Sequence, residues 1–167
     1  MPITRSELFA FLDKLHIDHQ TIEHDAAHTV EQAQLVRGTL PGGHAKNLFL
    51  KCKKGSLWLI VAEENTPIQL NHLHKLLGCG RLSFGSPELM KEVLGISPGS
   101  VTPFALLNDK AQRISLVLDE RLMHEEMLNF HPLDNRATTT ISSEGLLAFV
   151  KECGFAPKTL KLPQNSP

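Results

Sequence analysis

The run Leu57-Trp58-Leu59-Ile60-Val61-Ala62 is apolar at every position, so a strand built from it has no face that can meet water. Such a strand belongs at the centre of a sheet. Just before it, Asn47–Lys53 alternates Phe49, Lys51 and Lys53 with Leu48, Leu50 and Cys52, and Lys54-Gly55 supplies a turn. The two segments therefore read as a β-hairpin whose first arm has one face nearer solvent.

Helices and strands intermix around this hairpin. Thr4-Arg5-Ser6-Glu7 has the capping-box pattern, and Leu8, Phe11, Leu12 and Leu15 follow on one face, which predicts a helix over about 5–15. Residues 17–24 suit a short strand. Thr29-Val30-Glu31-Gln32 repeats the capping logic and predicts a short second helix before Gly38, with a loop through Gly42-Gly43 after it. Leu70, Leu73, Leu76 and Leu77 share a helical face closed by Gly78, and Ser86-Pro87-Glu88 opens a further helix that runs to Gly95. Arg81–Phe84 lies between them as a short strand.

Further along, Ala105–Leu107 reads as a strand after a loop over 97–104, and Arg113–Leu118 as a second one. Asp119–Met127 is acidic and helix-prone. Ala137–Ile141, with three consecutive threonines, predicts a strand, and Ser143-Glu144 starts a last helix through Cys153. The expected architecture is one α+β domain with a mixed β-sheet over 1–157, followed by a loosely held tail over 158–167.

Composition narrows the function. A length of 167 residues suits one domain by the prior of roughly 150 per domain. Cys52, Cys79 and Cys153 form no CxxC pair, so neither a disulfide framework nor a zinc ribbon is indicated, and a reducing cytoplasm is the expected location. The N-terminus lacks a basic region followed by an apolar core, and no run of 18 apolar residues occurs, so a membrane partner is not expected. A formal net charge of -1 gives no global attraction to nucleic acid, and any RNA contact must be local.

Several catalytic patterns fail on context. Gly95-Ile96-Ser97-Pro98-Gly99 matches a hydrolase nucleophile elbow, but that turn needs a strand before it and a helix after it, and here the order is reversed. The nine histidines include His72-x-His74 and His24-x-x-x-His28, yet the zincin pattern beginning at His124 has Leu128 where its second histidine belongs. No metal or other cofactor is expected. Cys52, on a predicted strand, reads as a small core residue.

Gly42-Gly43-His44-Ala45-Lys46-Asn47 is more specific, because a flexible backbone, a cation and a side-chain amide stand together at the start of a strand. These groups suit an anion or a polarised carbonyl. The alternative, that Lys46 is a solvated charge like Lys51, Lys53 and Lys54, stays open on spacing alone.

Five segments together resemble the YbaK/ProX superfamily of trans-editing aminoacyl-tRNA deacylases: Glu23-His24-Asp25, Gly43–Leu50, Arg81–Glu88, Gly95–Phe104 and Phe130–Thr140. Within it the chain is most similar to the free-standing prolyl-tRNA editing proteins, which hydrolyse alanyl-tRNA(Pro). The resemblance implies a mixed-sheet domain and, as partner, a mischarged tRNA presenting its 3′-terminal aminoacyl-adenosine, with prolyl-tRNA synthetase as a further candidate partner. It implies that Lys46 binds the terminal nucleotide, Asn47 holds the ester or water, and His131 shapes the pocket. Gly99, Ser100, Val101 and Thr102 would contact the substrate, the Gly99-Ser100 backbone donating to the carbonyl. No strong general base is implied, so a ribose hydroxyl would share that role. Alternatives are a deacylase for a tRNA mischarged with Cys or Ser, or a module that grips a tRNA end or a synthetase without catalysis.

Overall fold

Strand β3 (Leu57–Glu63) is buried from Leu57 to Ala62 and lies between β2 (Gly43–Cys52) and β5 (Ile114–Asp119). Its two faces enter different cores. Leu57, Leu59 and Val61 pack with Leu8, Leu12, Phe104 and Phe149, whereas Trp58, Ile60 and Ala62 pack with Leu50, Leu73, Leu77 and Leu82. Each such aliphatic side chain contributes roughly 1.5–3 kcal/mol by leaving water, which is why a doubly apolar strand occupies the middle of the sheet.

The computed structural model describes residues 2–25 and 42–162. The helix expected after Thr29 and the loop from Thr39 to Pro41 lie outside them. Three further strands complete one side of the sheet: β1 (His19–Glu23), β6 (Met127–Phe130) and β7 (Ala137–Ser142). The order is β1-β7-β6-β2-β3-β5-β8, with β8 (Lys158–Leu160) at the far edge and β4 (Leu82–Phe84) paired to β2 beside this path. The β2–β3 hairpin is antiparallel, while β3–β5, β5–β8 and β2–β6 are parallel, so the sheet is mixed as expected. No helix among the described residues is long and apolar enough to cross a membrane.

Local signals succeeded where capping chemistry was complete. In α1 (Arg5–Lys14), the Thr4 hydroxyl accepts from Glu7 N and Thr4 N donates to the Glu7 carboxylate. Gly78 and Gly95 close α2 (Leu70–Leu77) and α3 (Pro87–Leu94) in the left-handed conformation. Ser142 caps α5 (Ser143–Glu152) through Gly145 N.

Three expectations differ from the structure. The apolar run at 105–107 is part of a 3-10 segment over Pro103–Asn108, since Pro103 sits at its first turn and the Thr102 hydroxyl accepts from Phe104 N. The acidic stretch is helical only in α4 (Glu120–Met123), and its end becomes strand β6. Residues 158–162 are not a loose tail, because Lys158–Leu160 pairs with Val117–Asp119 and Leu162 is buried. A three-residue strand has too short a pattern to be seen without the neighbour that satisfies its backbone.

Candidate active site

Strand β2 changes neighbours along one edge. At its start Gly43 and His44 pair with Leu128 and Asn129 of β6, and at its end Leu50–Cys52 pair with Leu82–Phe84 of β4. Its other edge is held by β3 from Ala45 to Lys51. Among the described residues no strand pairs with residues 45–49 on the first edge, which leaves that edge of β2 open as a crevice between β6 and β4.

Two glycines and one asparagine make the close approach at the mouth. A Cβ on Gly42, whose φ is 92°, would lie 2.5 Å from the Met127 carbonyl oxygen, and one on Gly43 would lie 2.9 Å from Glu125 Cγ. These glycines are explained by strand packing rather than by a flexible cradle. Asn129 then ties three strands together: its Nδ2 donates to Gly43 O at 3.1 Å, and its Oδ1 accepts from the Thr140 hydroxyl at 2.6 Å.

Main-chain groups face the crevice in a fixed alternation. Gly43 O accepts from Asn129 and Phe49 O accepts from Gly85 N, both on the open edge, whereas His44 O accepts from Glu64 N on the β3 side. The period of two therefore turns the Asn47 N–H and C=O to the open edge as well. Gly85 keeps β4 in place, since a Cβ there would meet the buried Phe49 ring at 2.4 Å. Gly85→Ala is expected to destabilise the protein by about 1–3 kcal/mol through overpacking, measured by denaturant unfolding.

Lys46 and Asn47 stand on this strand itself and not on a loop, so their side chains project to opposite faces. Lys46 shares its face with Leu48 and Leu50, which belong to the smaller core, and is half-buried. Asn47 shares the other face with Ala45 and Phe49, which belong to the larger core. Its Oδ1 is buried without a hydrogen-bond partner among the described residues. An unpaired buried amide costs about 1–3 kcal/mol, a cost that a polar ligand would remove. The two residues thus serve one ligand only if it lies across the strand edge.

His131 follows directly on β6. The register Gly43↔Leu128, His44↔Asn129 ends two residues short of Lys46 on one strand and of His131 on the other, which sets both at the point where the strands separate. The His131 Nδ1 lies 3.0 Å from Ala137 O, which can only accept, so Nδ1 carries a proton and the ring is oriented. The His24 ring lies 6.4 Å away, with its Nδ1 2.8 Å from Asp25 O and its Nε2 2.8 Å from the Thr138 hydroxyl.

The turn after His131 is braced from outside. Arg5 donates to both Asp134 carboxylate oxygens at 2.8 Å and also pairs with Glu23, while Asp134 accepts from Arg136 N. Gly99 faces this turn: a Cβ on it would lie 3.3 Å from Asn135 Nδ2. Ser100 N donates to Ser97 O, so this N–H, expected to meet a substrate carbonyl, is engaged within its own turn. Thr102 is buried and its hydroxyl caps the following turn, while Val101 packs half-buried against the larger core. The register thus sets Lys46, Asn47 and His131 near the opening of β2, and the Gly99 turn packs against the turn that follows His131.

Asn129, Thr140, Thr138, Asp134 and Arg5 were not singled out by sequence reasoning. The threonine triplet at 138–140 was read as β-propensity and as part of the Phe130–Thr140 resemblance, with no role given to its hydroxyls, although alternate ones prove to serve His24 and Asn129. Cys52 is a buried strand residue whose sulfur accepts from Gly80 N, in keeping with a core role. Burial, with Glu152 beside it, pushes the Cys153 thiol up to about 12. Among the described residues no group of three His, Cys, Asp or Glu side chains is placed to hold a metal ion.

Comparison with known proteins gives a consistent picture. Residues 24–149 match the family model of the aminoacyl-tRNA editing domain. The chain is 34% identical to the prolyl-tRNA editing protein ProX of Acetoanaerobium sticklandii, over 95% of this chain and 97% of that protein. It is 37% identical to the prolyl-tRNA synthetase associated domain-containing protein 1 of Bos taurus, over 96% of each. Its fold is similar to a crystal structure described as a candidate trans-editing enzyme for prolyl tRNA synthetase, with a TM-score of 0.73 and 21% identity over 98% of this chain and 99% of that one.

Proposed function

The chain belongs to the aminoacyl-tRNA editing domain family, and on that premise we propose that it is a deacylase hydrolysing the ester of mischarged tRNA(Pro), with alanyl-tRNA(Pro) as its main substrate. The observation that carries this reading is the crevice on the open edge of β2. There a half-buried cation, an outward-facing main-chain N–H and a buried amide oxygen with no hydrogen-bond partner among the described residues occur within two consecutive residues.

The chemistry needs an attacking water and a stabilised oxyanion. Lys46, on one face, binds the phosphate or ribose end of the terminal adenosine. The ester then crosses the strand edge, where the Asn47 N–H meets the carbonyl oxygen as negative charge develops. This donor takes the place first assigned to the Ser100 N–H, which is already engaged. On the other face the Asn47 amide holds the water or the amino-acid end, while the oriented His131 ring, which alternates away from Leu128 and Phe130 of the larger core, closes the pocket from the Lys46 side. Water adds to the carbonyl carbon, the bond to the ribose oxygen breaks, and that oxygen leaves with a proton. A neighbouring ribose hydroxyl relays the proton, which assigns no general base to the protein. The products are free amino acid and tRNA.

The enzyme must spare prolyl-tRNA, whose side chain is larger, so exclusion by shape has to supply the discrimination. Val101 and Leu133, half-buried against the larger core on the Asn47 face of the sheet, are our candidates for the wall. Val101→Ala is expected to raise hydrolysis of prolyl-tRNA by about tenfold, within the roughly 1–3 kcal/mol that one or two methylenes supply. Unchanged discrimination would remove Val101 from the wall.

The decisive assay compares hydrolysis of alanyl-, cysteinyl-, seryl- and prolyl-tRNA by wild type and by Lys46→Ala. Rapid loss of alanine with wild type alone supports the reading. Preference for cysteinyl- or seryl-tRNA would reassign the substrate, and tight binding without turnover would make the chain a tRNA-end module. Co-purification with prolyl-tRNA synthetase tests the proposed association with that enzyme.

A further inference from the structure

The most exposed large apolar side chain described is Phe84, 65% accessible on a strand whose neighbour Leu82 is buried. Its position relates it to the crevice. Phe84 pairs with Leu50, and the alternation that puts Leu82 in the smaller core puts Phe84 on that same face. Leu50, the half-buried Leu48 and Lys46 follow one another along this face of β2. The shelf that leads from this aromatic ring to the cation of the candidate active site is narrow, because Leu50 is fully buried and only the half-buried Leu48 is accessible along it.

Spacing and rigidity say what such a shelf suits. Leu50 is four residue steps along β2 from Lys46, about 13 Å at roughly 3.3 Å per step. That is too far for one nucleoside held at Lys46 to cover both ends, but within reach of the unpaired nucleotides that precede it. The ring is presented on a fixed element: Gly85 N donates to Phe49 O on one side, and Ser86 caps α3 on the other. By the same alternation exposed Lys51, Lys53 and Arg81 project to the opposite face from Phe84, so they flank the β2–β4 edge from behind the ring, although the chain carries a net charge of -1. A preformed aromatic face on an edge flanked by basic side chains suits single-stranded nucleic acid held without reading its sequence, because every base offers a π-face.

We propose that Phe84 is a stacking platform for an unpaired base of the tRNA 3′ strand, preceding the terminal adenosine bound at Lys46. This rests on the deacylase reading above for the direction of the strand. Phe84 is a positioning residue for the substrate and takes no part in ester cleavage.

Steady-state hydrolysis by wild type, Phe84→Ala and Phe84→Trp tests it with two substrates: alanyl-tRNA(Pro), and 3′-O-alanyl-adenosine, which lacks the preceding nucleotides. Phe84→Ala is expected to raise KM for the tRNA about ten- to a hundredfold, the effect of a stack of about 1–3 kcal/mol at 1.4 kcal/mol per tenfold, with kcat unchanged. With alanyl-adenosine it should behave as wild type, and Phe84→Trp should restore the tRNA KM. Equal KM values for wild type and Phe84→Ala on the tRNA, or equal losses on both substrates, would overturn the proposal.

A binding readout separates this from failure of the deacylase reading. In Phe84→Trp the new indole is expected to be quenched by uncharged tRNA with an intact 3′ end and not by tRNA trimmed of its unpaired nucleotides, while the buried Trp58 of wild type responds to neither. Absence of that difference overturns the stack whether or not the protein hydrolyses esters. Loss of synthetase association in Phe84→Ala with tRNA binding intact would instead make the ring a protein contact, and would also overturn it.

Discussion

Replacing Lys46 by alanine is expected to lower kcat/KM for alanyl-tRNA(Pro) by about 10²–10³-fold, the cost typical of removing one preorganised polar group that stabilises charge in a reaction. The fold should survive. Lys46 makes its strand pairing with Ala62 through the backbone, and its side chain forms no ion pair among the described residues, so stability should change by about 1 kcal/mol or less. Arginine is expected to restore activity only in part, because a planar fork on the same strand position does not place its charge where the compact ammonium stood. Deacylation kinetics beside a denaturation curve for each variant check both halves. Undiminished turnover by Lys46→Ala would remove this residue from the site and with it the proposed path of the substrate across β2.

Asn129→Leu is expected to destabilise the protein by about 2–5 kcal/mol, because it strands two polar groups at once. The Gly43 carbonyl loses its 3.1 Å donor and the Thr140 hydroxyl its 2.6 Å acceptor, and each orphaned buried group costs about 1–3 kcal/mol. Thr140→Val added to Asn129→Leu should recover part of the loss by removing one orphan. Non-additivity of the two changes in a denaturant cycle is the signature of a shared network. Activity should fall further than stability explains, since the Asn129–Gly43 bond ties β2 to β6 where Lys46 and His131 separate. Activity in proportion to the folded fraction would show that the tie holds the fold without positioning the site.

Much of this architecture follows from short-range rules. The Thr4–Glu7 box, the glycines after α2 and α3, and the doubly apolar β3 each announce an element through interactions within a turn or a single strand. The register sets Lys46, Asn47 and His131, which the family resemblance had grouped, near the opening between β6 and β4. Their division of labour was not legible. Placing Lys46 on a loop suggested that it and Asn47 converge, whereas a strand that already begins at Gly43 sends them to opposite faces.

By itself, then, the sequence determined where the capped helices begin and end, which strand is central, and which side chains are candidates for chemistry. Those properties depend on periodicity, capping and residue type, all of them local. Only the tertiary structure decided that β2 exchanges β6 for β4 along one edge, leaving the Asn47 backbone open between them. That opening depends on contacts such as Asn129 with Gly43, 86 residues apart. A bond over such a separation imposes no pattern on the residues near either end, and only the folded chain reveals it.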